Sequence, residues 1–304
     1  MKTSFAYAGR GQGGGAGTRR IIARALLVLV LALAVLLAAC TTARFAYNQA
    51  PHFSYWWLDS HFDFDDAQAE QVRGDIDAFF SWHRREELPA VAGLLRQWQA
   101  MAARELTAQE VCAQFETVRA RLVGTGERLI VPFARLAPLL SAAQLEHLQR
   151  RQARSNEEFA RDFLRGSPEQ RLQRRLDQAV SRSETFYGPL SAAQRELLRR
   201  WLAEAPWDPE RAQAERQRRQ ADLLQTLRRI QAEPAQAQPA LQAHLQRLQH
   251  SPTPGHQAHS DAGVRHSCAQ FAALHNSTTP EQRRKAVREL QSYERDMEVL
   301  SAQR

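Results

Sequence analysis

The chain has 304 residues, with 41 Lys+Arg against 33 Asp+Glu and a formal charge of +8. Five of the positive charges and none of the negative ones fall in residues 1–39; without that stretch Lys+Arg is 36 and the net charge +3. That balance excludes a polycationic nucleic-acid binder, and the remaining 265 residues suffice for a sizeable core, in one large domain or two.

Residues 1–39 carry only Lys2, Arg10, Arg19, Arg20 and Arg24 as charges, and end in a run of Ala, Leu and Val from Ala25 to Ala39. The run is shorter than the roughly 20 residues that a membrane-crossing helix needs. A basic start, a short apolar stretch and small residues at its exit predict a signal peptide over 1–39. Arg19-Arg20 raises a twin-arginine export signal, but the strong hydrophobicity of the run favours the ordinary secretory route. Leu37-Ala38-Ala39-Cys40 resembles the lipobox of bacterial lipoproteins. That resemblance implies cleavage before Cys40, a thioether-linked lipid on its thiol and three acyl chains, palmitate among them. One chain alone holds marginally, at about 0.8 kcal/mol per buried methylene. The competing reading is a single-span anchor that ends in an incidental cysteine. Thr41 stands where lipoproteins retained in the proteobacterial inner membrane usually carry Asp. By that resemblance the address is the outer membrane, with the body facing the periplasm and held to the membrane by its N-terminal lipid.

Residues 40–64 form a lipidated, aromatic-rich segment holding Phe45, Tyr47, Phe53, Tyr55, Trp56, Trp57, Phe62 and Phe64. Tyr55, Trp56 and Trp57 have two readings. They bury as core, as aromatics do in small helical domains, or they stand at the membrane surface or against a partner protein.

A helical domain is expected over 65–232. Apolar residues recur at helical spacing in Val72, Ile76, Phe79, Phe80; in Val111, Phe115, Val118, Leu122; and in Leu197, Leu198, Trp201, Leu202. Strand alternation is nowhere sustained. The fold class is therefore all-α, a multi-helix bundle of antiparallel helices. "LSAAQ" occurs at 140–144 and again at 190–194. Ser167 to Gln170, Thr279 to Gln282, Asp65 to Gln68 and Thr107 to Glu110 repeat its spacing. The pattern predicts capping boxes, in which a Ser, Thr or Asp oxygen accepts from a free backbone N–H and Gln or Glu three residues on reaches back. It marks at least six helix starts, with Pro168 and Pro280 at the first helical position. The same pentad resembles the Leu-Thr-x-x-Gln signature of small periplasmic stress chaperones, but capping explains those residues without a shared function.

Between Glu233 and Gly263 lie Pro234, Pro239, Pro252, Pro254 and Gly255, with Gln, Ala and His between them. Residues 233–267 read as a linker or surface loop, interrupted by a short amphipathic piece bearing Leu241, Leu245 and Leu248. Residues 268–304 then supply a C-terminal helix, from about Pro280 to Leu300, packing on the helical domain. With Cys40 acylated, Cys112 and Cys268 remain as an even pair in an oxidising compartment. They form a disulfide or two separate buried thiols, and compartment and parity favour the bridge.

Tyr47-Asn48, Trp56-Trp57-Leu58-Asp59, Trp82 to Pro89 and His275 to Arg283 together resemble a family of uncharacterised proteobacterial lipoproteins, the DUF6279 family. The resemblance spans most of the chain after the signal and implies no activity.

Acid–base candidates are Asp59, Asp63, Asp65, Asp66, His83, Glu86 and Glu87. On a helix His83 and Glu86 or Glu87 could share a proton, as an envelope hydrolase would require. The plainer reading is a charged helix end before Pro89, with the aspartates closing a loop and capping the next helix. No nucleophile elbow, phosphate loop or zinc motif accompanies them. His250, His256, His259, His266 and His275 match no standard zinc spacing. The expectation is a non-enzymatic, binding, chaperone-like or structural envelope protein. It takes no cofactor or metal and binds no nucleic acid, and an envelope protein is its expected partner.

Overall fold

The structure, a computed structural model, describes residues 42–303; the signal peptide over 1–39 and the acceptor cysteine Cys40 lie outside the described residues. Met1–Asn48 and Gln49–Arg304 form separate units, and the packing below is that of the second. Every regular element among the described residues is helical and none is a strand, so the chain is all-α. Helix α1 spans Thr42–Phe62 and α2 Asp66–Trp82; one π-turn, His83–Glu87, leads into α3, Leu88–Ala102. Then come α4 (Ala108–Arg128), α5 (Ile130–Leu136), α6 (Ala142–Phe159), α7 (Pro168–Tyr187) and α8 (Ala192–Glu204). Helices α9 (Pro209–Ala232), α10 (Ala237–Gln249), α11 (His256–Asn276) and α12 (Pro280–Ala302) complete the order.

All six expected capping boxes are present, at Asp65/Gln68, Thr107/Glu110, Ser141/Gln144, Ser167/Gln170, Ser191/Gln194 and Thr279/Gln282. Four of their glutamines do more than cap. Gln68 Nε2 donates to Leu139 O (2.8 Å) and Gln144 Nε2 donates to Asp63 O (2.8 Å). Each amide also donates to the other's Oε1, at 3.3 and 2.6 Å. The pattern returns at the other end of the chain. Gln194 donates to Ser277 O and to Gln282 Oε1, while Gln282 donates to Pro189 O and to Gln194 Oε1. In all four cases the loop acceptor lies two residues before the partner helix's N-cap. An amide offers two hydrogens and two lone pairs, and every one is used. Two helix starts are thereby clasped together by a reciprocal pair, twice in one chain.

Each clasp borders its own core. The first core gathers Phe62, Val72, Leu145, Leu148, Leu227, Ile230 and Leu241, from α1, α2, α6, α9 and α10, around the first clasp. The second gathers Ala102, Leu176, Val180, Tyr187, Leu198, Leu274 and Ala286, from α3, α7, α8, α11 and α12. Helix α12 packs along α3 and α11 along α4.

Residues 233–267, expected as a linker, are instead mostly helical. Pro234 opens a 3-10 turn and Pro239 sits in the first turn of α10, where a missing N–H leaves no hydrogen bond broken. Pro252, Pro254 and Gly255 are confined to the short turn before α11, and Gly255, with φ +71, supplies the left-handed residue that starts it. The turn is pinned as well. Ser251 and Thr253 hydroxyls donate to the buried Glu215 carboxylate at 3.0 and 2.9 Å. Burial alone would raise the Glu215 pKa, but Arg218, Arg219, Thr253 and Ser251 outweigh it and hold the carboxyl well below the usual range. Helix α4 departs in a different way from its expected apolar face: Phe115 and Leu122 are exposed, and no residue of this helix is fully buried.

Candidate functional site

Helix α1 separates its aromatics by face. Tyr55 turns inward, half-buried against the first core, with the Arg73 guanidinium carbon 4.0 Å from its ring centroid. Phe53, Trp56 and Trp57, at i, i+3 and i+4 on one helical face, point outward with exposures of 57%, 63% and 55%. The core reading therefore holds for Tyr55 and fails for the two tryptophans. Trp57 lies against His61 with ring centroids 4.2 Å apart and the rings tilted by 35°, and His61 Nδ1 lies 2.7 Å from Trp57 O. That local bond fixes the tryptophan's neighbour and leaves the indole itself facing solvent. Large apolar side chains grouped on a surface mark an interaction site more often than isolated ones do.

Cys112 of α4 and Cys268 of α11 stand at disulfide distance, with Cα atoms 5.4 Å apart across a sequence separation of 156. The bridge would join helices that already pack together.

The acid–base candidates are drawn into structural work. Pro89 has no N–H to offer Arg85 O, and the chain answers with a π-turn closed by Leu88 N donating to His83 O. Glu87 pairs with Arg121 (3.1 Å) and Glu86 with Arg128 (3.7 Å), both on α4. His83 is half-buried beside Phe79 and Trp82; burial lowers its pKa, with Glu87 pulling weakly upward. Asp59 accepts from Phe64 N and Asp65 caps α2. Asp63 holds the left-handed conformation at φ +54, which Asp tolerates and which aims its carbonyl at Gln144. Those side chains close a loop and begin a helix.

The late histidines disperse. His266 Nε2 lies 2.7 Å from Trp201 O. His275, 1% exposed, is held between Arg104 O (2.7 Å, to Nε2) and Tyr187 OH (3.0 Å, to Nδ1). Those partners select the neutral tautomer with its hydrogen on Nε2. Burial lowers the His275 pKa and raises that of Tyr187 to about 12. Among the described residues no group of three His, Cys, Asp or Glu is placed to hold a metal ion, and no single helix is long and apolar enough to cross a membrane. Sequence reasoning missed the pairing of the clasp glutamines and a groove beside Cys268. The repeated pentad was the only local sign of the first, and the exposed Phe115 face of α4 belongs to the second.

The described residues thus form an all-α body whose first helix presents an exposed aromatic face. The family model described as "Family of unknown function (DUF6279)" matches residues 60–254, and the chain belongs to that family. No curated protein and no solved structure matches the chain significantly.

Proposed function

We propose that the protein is a proteobacterial lipoprotein, anchored through acylated Cys40 to the outer membrane and facing the periplasm, that works by binding and not by catalysis. The observation that carries this reading is the outward face of Phe53, Trp56 and Trp57 on a helix that begins at Thr42, two residues after the lipobox cysteine. A lipid at residue 40 would keep that face close to the membrane, where aromatic side chains favour the boundary between water and lipid or a partner already held there. The disulfide distance between Cys112 and Cys268 supports an oxidising compartment. The ion pairs of Glu86 and Glu87 with α4 weigh against a hydrolase built on His83.

Cells fed an alkyne-bearing palmitate test the anchor: wild type should be labelled and Cys40→Ser should not. Equal labelling of both would end the lipoprotein reading. A photoreactive residue at position 56 or 57 tests the face, with discrete envelope-protein or lipid adducts expected there and none from a control at the exposed Glu146.

A further inference from the structure

A groove of about 960 Å³ opens among α4, α7, α8 and α11, and the reading above makes no use of it. Its size falls within the range of ligand pockets, about 300–1,000 Å³. Buried Leu198 and Leu274 lie at its floor, and Phe115, Trp207 and Phe271 stand partly exposed on its walls. None of its described lining residues is acidic, whereas α7 contributes Arg175 and Arg182.

Arg175 is the informative side chain. It is half-buried, its guanidinium carbon stands 4.7 Å from the centroid of the Trp207 ring, and it makes no ion pair among the described residues. Asp162 lines a smaller cavity adjoining Arg175, but its own ion pair is with Arg161, at 3.7 Å. A cation partly withdrawn from water and offered only an aromatic face is poorly compensated. An incoming anion would complete it with a charge-assisted hydrogen bond. The apolar walls select what comes with the anion. A peptide would have to pair its backbone N–H and C=O groups on the few polar lining side chains, such as Gln178, Ser267 and Gln270, whereas an acyl chain along Phe115, Phe271 and Leu198 needs no such partner.

We propose that this groove binds a single acyl chain ending in an anionic head, with the chain along the Phe115, Phe271 and Leu198 walls and the head on Arg175. The inference does not depend on the lipid at Cys40.

Gly263 provides a clean way to close the groove. It lies within α11 on the groove wall, and nothing stands within 4 Å of the position a Cβ would take. A Cβ at this position meets open space, so Gly263→Leu adds bulk to the lining and improves helix propensity at the same position.

The test uses the full chain in phosphatidylcholine nanodiscs. It is irradiated with a diazirine-bearing palmitate or with a lysophosphatidylglycerol that carries the same chain, and the labelled peptides are read by mass spectrometry. Label is expected on Phe115, on residues 198–202 and on residues 263–271, the walls along which the chain is placed. Unlabelled palmitate should compete about tenfold better than its methyl ester, a difference in keeping with a charge-assisted hydrogen bond, and Arg175→Gln should abolish that preference. Gly263→Leu should keep the helical circular dichroism and melting temperature of wild type, or raise the latter, and cut groove labelling at least tenfold. Labelling by palmitate identifies a free carboxylate as the occupant; labelling by the lysolipid alone identifies a phospholipid head. Label spread evenly or confined to α1 overturns the proposal, as does groove labelling indifferent to Gly263→Leu. Capture of an apolar peptide with no label from either amphiphile overturns it equally.

Discussion

The two glutamine clasps share one hydrogen-bond diagram and sit in unlike surroundings. Around Gln68 and Gln144 the next helical positions are Ala69 and Leu145, both buried. Leu140, just before the Ser141 cap, joins Leu145 in the first core, as a hydrophobic staple does. Around Gln194 and Gln282 the same positions hold Arg195 and Arg283. Arg195 reaches back to Leu190 O and pairs with Glu184 at 2.6 Å; Arg283 reaches Thr278 Oγ1 and Asn276 O. Gln282 is partly exposed, whereas the other three glutamines are buried. The same bonds are thus sealed by apolar packing in one region and by polar tethers in the other. A motif fixes hydrogen-bond geometry, and its neighbours decide how dry that geometry is.

The largest test of this contrast is covalent. Replacing Cys112 and Cys268 by Ser removes a constraint over a separation of 156 residues, worth up to about 5 kcal/mol in the chain-entropy model. Amide exchange should rise first in α4 and α11 and last in α9; a uniform rise would erase the distinction between regions. Next, Leu227→Ala should cost about 3–4 kcal/mol, because Leu227 is wholly buried in the first core. Leu198→Ala should cost nearer 2 kcal/mol, since Leu198 lines the open groove, where the space left by truncation is continuous with solvent. Urea denaturation of both variants checks the order.

Within the clasps, Gln144→Ala orphans the buried Gln68 amide, at about 2–3 kcal/mol. Gln282→Ala lets water replace the lost donor and should cost about 1 kcal/mol. Equal losses would mean that sealing is irrelevant.

Acid gives the smallest effect. His244 and His275 both have pKa values lowered by burial. As pH falls through the ordinary value of 6.5, the unfolded chain takes up protons before the folded one does. Stability is therefore full above about pH 6.5 and declines below it until the folded values are passed. Asp222 hydrogen-bonds His244 at 2.8 Å and offsets part of the cost. His275 faces Arg283 and Arg104, with Glu105 opposing them, and its proton would displace the Tyr187 hydroxyl hydrogen bond. Exchange measured at pH 5.5 against 7.5 should therefore open the second region first.

Much of this was legible where the physics is local. Six capping boxes follow from residues three apart, and Val72, Leu198 and Leu241 announce their buried faces by spacing alone. The join between Gln68 and Gln144 spans 76 residues and that between Gln194 and Gln282 spans 88, so no local pattern could reveal either. The prolines of 233–267 misled because proline marks a helix start as readily as a break, and Pro239 does the former. Trp56 and Trp57 were ambiguous because indole suits a core and a surface equally. The spacing of Phe115 gave its helix, but spacing alone does not say whether a face meets a packed neighbour or, as here, a groove.

The clasps also specify where the chain can change length. Each glutamine meets a carbonyl two residues ahead of the other helix's cap, so inserting one residue in Asp63–Asp65, Leu139–Ser141, Pro189–Ser191 or Ser277–Thr279 throws both partners out of step. The long stretches between clasped starts carry no such ruler. Additions at the exposed turn before Pro168 should be absorbed, which makes the short runs before the caps, and not the helices, the parts of this chain with a fixed gauge.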